Sequence, residues 1–128
     1  MKKDISSRAD LYLIVKDFYE KLLNDPVMFH FFEEFTDKSH LENHLTTLVD
    51  FWENILFYSD TYSKNAMQPH LELNKTKPIE SRHFKQWLKH FNNSIDANFE
   101  GEVAHTAKSR ALSIATVMQI KVFENGKQ

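Results

Sequence analysis

Cysteine is absent from the 128 residues. That excludes disulfides, thiolate-held metals, cysteine-ligated iron–sulfur clusters and cysteine nucleophiles. Glycine occurs twice and proline three times. So few turn formers predict helices joined by short polar connections. Neither sign of charge dominates: 16 Lys and Arg stand against 18 Asp and Glu, a formal net charge of −2. Nothing in that balance draws the chain to nucleic acid or to an anionic membrane. No run is long and apolar enough to span a bilayer, and no apolar stretch follows Met1-Lys2-Lys3-Asp4. The expectation is a cytoplasmic protein with no membrane partner. Repeats, low-complexity tracts, a domain linker and the alternating pattern of strands are also missing.

Aromatic residues are plentiful: 11 Phe, 4 Tyr and 2 Trp, within a chain that is 41% hydrophobic. Either the core is filled with phenyl rings, or it lines a slot for a flat aromatic ligand. The length suits one domain with a real core. We expect a single domain over 1–128 with loose ends at 1–5 and 125–128.

The pattern along the chain is helical. Ser7-Arg8-Ala9-Asp10 resembles a capping box with Asp in the Glu position. Behind it Leu11, Ile14, Val15, Phe18, Tyr19, Leu22 and Leu23 recur at helical spacing. Asn24-Asp25-Pro26 ends this helix. Val27 to Phe35 is too short and aromatic for a free-standing helix and predicts one or two tight turns packed on apolar surface. Ser39-His40-Leu41-Glu42 reads as a second capping box, opening a helix to about Phe57. A short helix around Asn65 to Leu73 follows. Another stripe runs through Phe84, Trp87, Leu88, Phe91, Ile95 and Phe99. After the break at Glu100-Gly101-Glu102, a last helix carries Val103, Ala104, Ala107, Ala111, Ile114, Ala115, Met118 and Val122. Its small residues allow close approach, and Asn125-Gly126 suits a C-terminal stop. The fold class is all-α.

Seven histidines compete for attention. His40, His83, His90 and His105 have polar or charged neighbours and read as surface or helix-end residues; His30 is ambiguous. His40 and His44 are four apart with Glu42 between them, a spacing a zinc ion can use, but no third ligand is evident. His44 and His70 differ, because both lie on apolar faces. Leu41, Leu48, Phe51 and Ile55 stand three, four, seven and eleven residues from His44 on its side of the helix. One buried imidazole is ordinarily a satisfied core residue. Two on consecutive helices with an aromatic core between them fit a haem, one imidazole on the iron and one across from it.

With these residues in view, the chain resembles the truncated haemoglobins, and among them group III. The resemblance rests on Asp17-Phe18-Tyr19-Glu20-Lys21, Phe31-Phe32, and His44 seven residues before Phe51-Trp52. It continues through Tyr62 to His70 with Asn65 and Met67, Trp87-Leu88-Lys89-His90-Phe91, and Arg110 to Ala115. The glycine pairs of groups I and II are absent, as in group III. Two departures stand out: Ala66 replaces a proline common after the asparagine, and Pro69 precedes His70.

The resemblance implies a globin-like two-over-two helical sandwich around haem b, iron protoporphyrin IX. His70 matches the proximal iron ligand. Tyr19, His44 and Trp87 match the distal ligand pocket, and Phe32 the phenylalanine wedged against haem. Leu45, Leu48, Phe51, Trp52, Met67 and Leu71 are expected to complete the apolar wall. The Ala66 carbonyl is expected to hold the second His70 ring nitrogen. The implied partners are O2, NO, CO or anionic haem ligands and an unidentified reductase, with the protein a monomer. Two donors beside the ligand imply tight retention, which suits nitric oxide oxidation or peroxide turnover better than oxygen delivery. Two rivals stay open: a haem-free or gas-sensing interaction module, and a metal-site protein built on His40, Glu42 and His44.

Overall fold

The structure, a computed structural model, describes residues 2–57 and 80–126. Helix α1 spans Arg8–Leu23, α2 Lys38–Phe57, α3 Ser81–Asp96 and α4 Glu102–Gly126, with 3-10 turns at Phe29–Phe31 and Glu33–Thr36. Among the described residues the fold is all-α, with four helices stacked in two layers. α1 lies against both α2 and α3, α3 against α4, and α2 touches α4.

Local chemistry sets these boundaries. Ser7 caps α1 through its hydroxyl, which accepts the Asp10 N–H at 3.3 Å. The Asp10 carboxylate reaches back one residue further than a regular capping box, to the Ser6 N–H at 2.9 Å. α1 stops at Asn24, whose side-chain amide donates to the Glu20 carbonyl at 2.8 Å, and Pro26 prevents continuation. The expected box at Ser39 is displaced. Asp37 does the work there: its Oδ1 accepts the Ser39 N–H at 2.9 Å, and the helix begins at Lys38. A carboxylate at that position also faces the positive end of the helix dipole. α3 opens with an unusual box in which His83 replaces Glu: its Nδ1 accepts the Glu80 N–H at 2.8 Å.

The stripe read on α1 is buried: Leu11, Ile14, Val15, Phe18, Tyr19 and Leu22 are all core residues. The aromatic turns after it pack as expected, with Met28, Phe31, Phe32 and Phe35 inside. On α4 the small side chains Ala104, Ala107, Ala111 and Ala115 are buried in one row, which lets the neighbouring backbones come close. Across the α1–α2 contact, Arg8 pairs with Asp50 and Glu53, and the Tyr12 hydroxyl donates to Glu42. Such exposed pairs align helices more than they stabilise them.

The N-terminal residues are held, contrary to the loose end expected over 1–5. Ile5 is 2% exposed. Glu100 donates its N–H to the Lys3 carbonyl at 2.9 Å. The Asp4 carboxylate accepts the Val103 and Ala104 N–H groups at 2.9 and 2.8 Å, capping α4 from almost 100 residues away in sequence. Gly101 makes room for it: its φ is +146°, and a Cβ there would lie 2.5 Å from Asp4 Cγ. Burial pushes the Asp4 carboxyl upward, but hydrogen bonds from Val103, Ala104, Ile5 and Glu102 outweigh it and hold the group below its ordinary 3.8. Asp4→Ala is expected to lower unfolding free energy by ~1–2 kcal/mol at pH 7, read from urea titrations. A depressed carboxyl stabilises above its unfolded-state pKa and ceases to as pH falls through its folded one. The gap between wild type and variant should therefore close in acid, below about the ordinary 3.8.

Candidate functional site

The site grows from one residue on the central helix. Tyr19 lies one position past Phe18 on the buried stripe of α1 and is 2% exposed. Its ring meets Phe18, Phe32 and Phe35 edge-on, each with centroids 5.5 Å apart. A phenol in such a setting needs a partner, since an unmet hydroxyl costs ~1–3 kcal/mol. The partner comes from α2: the Tyr19 hydroxyl and His44 Nε2 are 2.7 Å apart. Burial, and then the charge of Glu34, push the Tyr19 phenol far above its ordinary range. It stays protonated and keeps its donor.

His44 is fixed by a second contact. Phe35 stacks on its ring at 4.4 Å with 20° between planes. His40, one turn earlier, stacks on Phe35 at 5.0 Å and lies 3.6 Å from Glu34. The three groups of the zinc alternative therefore point to different partners: His40 to Phe35 and Glu34, Glu42 to Tyr12, His44 to Tyr19. Among the described residues no group of three His, Cys, Asp or Glu is arranged for a metal ion.

Trp87 reaches this cluster indirectly. It meets Phe18 edge-on at 5.4 Å and lies parallel to Phe91 at 5.9 Å. Phe18 thus stands between the indole and the Tyr19 ring. Of the apolar residues expected as a wall, Phe32 touches Tyr19. Leu45 and Trp52 are buried in the helical core, where Trp52 stacks on Phe91 at 5.0 Å. Leu48 and Phe51 are half-buried at its edge. His70, Met67, Leu71 and the Ala66 carbonyl lie outside the described residues, as do Tyr62 and Asn65.

Of the histidines read as surface or helix-end residues, His83 does stand in the first turn of α3 but is buried, and His90 lies within the helix, largely buried. His83 is 3% exposed, packed on Phe31 at 4.7 Å. Its Nδ1 is an acceptor for Glu80, so the proton sits on Nε2, which has no partner among the described residues. Burial, then Arg82, hold it below the ordinary imidazole range. His90 bonds Asp25 at 2.7 Å, and Gln86 bonds the same carboxylate at 2.8 Å. Burial raises the Asp25 carboxyl, but bonds from His90, Gln86 and the Val27 N–H leave it below its ordinary value. The 86/90 spacing, one turn on one face opposite an acid at a helix end, is the signal that points to this network. Phe35, which grips His44, carried no signal beyond being one more phenylalanine.

Tyr19 and His44 thus set a hydroxyl and an imidazole among phenyl rings where α1 meets α2. Helices packed in this order form a globin-like sandwich. The chain belongs to the bacterial-like globin family, whose profile matches residues 3–122. Over 128 residues it is 24% identical to the group 3 truncated hemoglobin ctb of Campylobacter jejuni, covering 98% of each chain. It also matches the crystal structure of a group III truncated hemoglobin from Campylobacter jejuni, with a TM-score of 0.84 and 24% identity over 95% of each chain. The resemblance drawn from the sequence is thereby upheld, and membership of a globin family implies haem binding.

An alkaline ultraviolet titration checks the Tyr19 environment. The chain has 4 tyrosines, and the one removed by Tyr19→Phe should ionise last, together with alkaline unfolding. Ionisation of Tyr19 in step with an exposed tyrosine would show its hydroxyl in water.

Proposed function

We propose that the chain binds haem b through His70 and uses Tyr19, His44 and Trp87 to hold a small ligand on the opposite side. The reading is carried by the 2.7 Å Tyr19–His44 bond inside a phenyl-lined interior of a globin-family chain. A haem held by His70 would supply an iron able to bind O2, NO or CO. What the chain adds is a set of neutral donors in a setting from which water is excluded. Tyr19 keeps its proton at every physiological pH, so its hydroxyl can turn from His44 toward a partly negative ligand atom. His44 accepts from that hydroxyl in one tautomer and donates in the other, so the pair has a hydrogen-bonded arrangement with or without ligand. Trp87 can only donate. Phe32, Leu48, Phe51, Met67 and Leu71 form the proposed apolar wall, with Leu45 and Trp52 supporting it from the core.

Several donors beside one ligand slow its escape. That favours redox chemistry on the retained molecule, nitric oxide oxidation or peroxide turnover fed by a separate reductase, over oxygen delivery. We place the protein in the cytoplasm as a monomeric single domain.

Reconstitution with hemin should give an intense Soret band in the wild type and none of comparable strength in His70→Ala. A chain that stays colourless with hemin added would end the reading. In the reconstituted ferrous protein, Tyr19→Phe should speed O2 dissociation by ~10–150-fold, matching ~1.5–3 kcal/mol for a hydrogen bond to a charged group. Stopped-flow measurement giving an unchanged rate would remove Tyr19 from the ligand's surroundings.

A further inference from the structure

Asp25 is the only carboxylate among the described residues that is both buried and bonded to two side chains of another helix. It is 8% exposed. Oδ2 accepts from Gln86 at 2.8 Å and meets His90 Nε2 at 2.7 Å; Oδ1 accepts the Val27 N–H at 2.8 Å. Gln86 and His90 also lie 3.4 Å apart. The Asp25 carbonyl accepts the Met28 and Phe29 N–H groups at 3.1 and 2.8 Å. One residue thus starts the turn that leads to Phe31 and Phe32, and grips α3 at two points a helical turn apart.

A helix held at positions i and i+4 on one face can neither slide nor roll. A slip of one residue would turn it by about 100° and move it ~1.5 Å along its axis. Trp87 follows Gln86 directly, and Phe91 follows His90. These two rings lie 6° from parallel, and both meet Phe18 edge-on, at 5.4 and 5.3 Å. Tyr19 is the next residue on α1. The register of α3 against α1 therefore sets where the indole stands relative to the phenol. The charge is desolvated and fully bonded, so losing either side of the contact leaves a buried polar group unmet.

We propose that Asp25, Gln86 and His90 form a clamp that positions Trp87 against Phe18, on the opposite side of that ring from Tyr19, for the ligand pocket. Asp25 acts through α3 and is a positioning residue. The inference rests on the reading above that Trp87 faces the bound ligand.

The test uses the haem-reconstituted, CO-bound full chain and the Fe–CO stretching band in resonance Raman spectra, which reports donors near the ligand. Trp87→Phe should shift the band. Asp25→Ala and Gln86→Leu should split or shift it toward the Trp87→Phe position and speed O2 dissociation several-fold. Asp25→Asn keeps an oxygen acceptor for the Val27 N–H and puts an NH2 in place of Oδ2, which can donate to neutral His90 or, once the Gln86 amide flips, to its oxygen, and should restore most of the wild-type band. Asp10→Ala removes a buried carboxylate at the far end of α1 and should leave the band in place. In the haem-free protein, amide exchange over residues 84–91 should rise in Asp25→Ala more than in Asp10→Ala. A shift in Trp87→Phe with none in Asp25→Ala or Gln86→Leu overturns the clamp alone. No shift in Trp87→Phe overturns the pocket reading, and the clamp with it.

Discussion

A phenol sealed among phenyl rings can stay there only if something answers its hydroxyl, and here that is the imidazole of His44. The contact joins α1 to α2 at the point where the aromatic turns close over both. It fixes the ring plane of His44, because Phe35 stacks on the other contact surface. It also keeps Tyr19 protonated, since the surroundings penalise a phenolate. Core packing and, in the function proposed here, ligand chemistry therefore rest on the same pair of atoms. A mutation there alters stability and pocket together, and the two effects have to be read by different measurements.

The helical skeleton was legible in the sequence because its signals are local. The stripe from Leu11 to Leu22 buries as spacing demands. The Asn24-Asp25-Pro26 break falls where α1 stops; α3 already ends at Asp96, and Glu100-Gly101-Glu102 leads into α4. Capping was less legible. Ser39 has the right spacing to Glu42, yet Asp37 takes the role, since a carboxylate competes well for the same N–H groups. The burial of His83 and His90 was hidden for another reason. His83 and His90 have polar neighbours in sequence, but burial depends on what another element brings opposite. Phe31 covers one and Asp25 bonds the other. No periodicity within α3 contains that information.

The candidate site shows the same division. Tyr19 and His44 sit on strong apolar stripes, and their meeting follows once α1 and α2 pack face to face. Trp87 also lies on a stripe, but its relation to Tyr19 passes through Phe18 and the partners of Asp25, which are tertiary facts. The rival zinc arrangement had attractive spacing and failed on direction. His40 and His44 share a helix face, where both stack on Phe35, but Glu42, two residues from each, stands about 200° round the helix and meets Tyr12 instead.

The Asp4 cap bears on how the chain comes to be folded on the ribosome. Its acceptors are filled by amides at 103 and 104, so residues 3–5 cannot take their folded place until the start of α4 has been made. Contacts this distant in sequence close late, after the entropy of the intervening loop has been overcome. Until then the Asp4 carboxylate lacks the amides that hold it in the finished fold. Completion of α4 is then the event that turns a partly collapsed nascent chain into the finished sandwich.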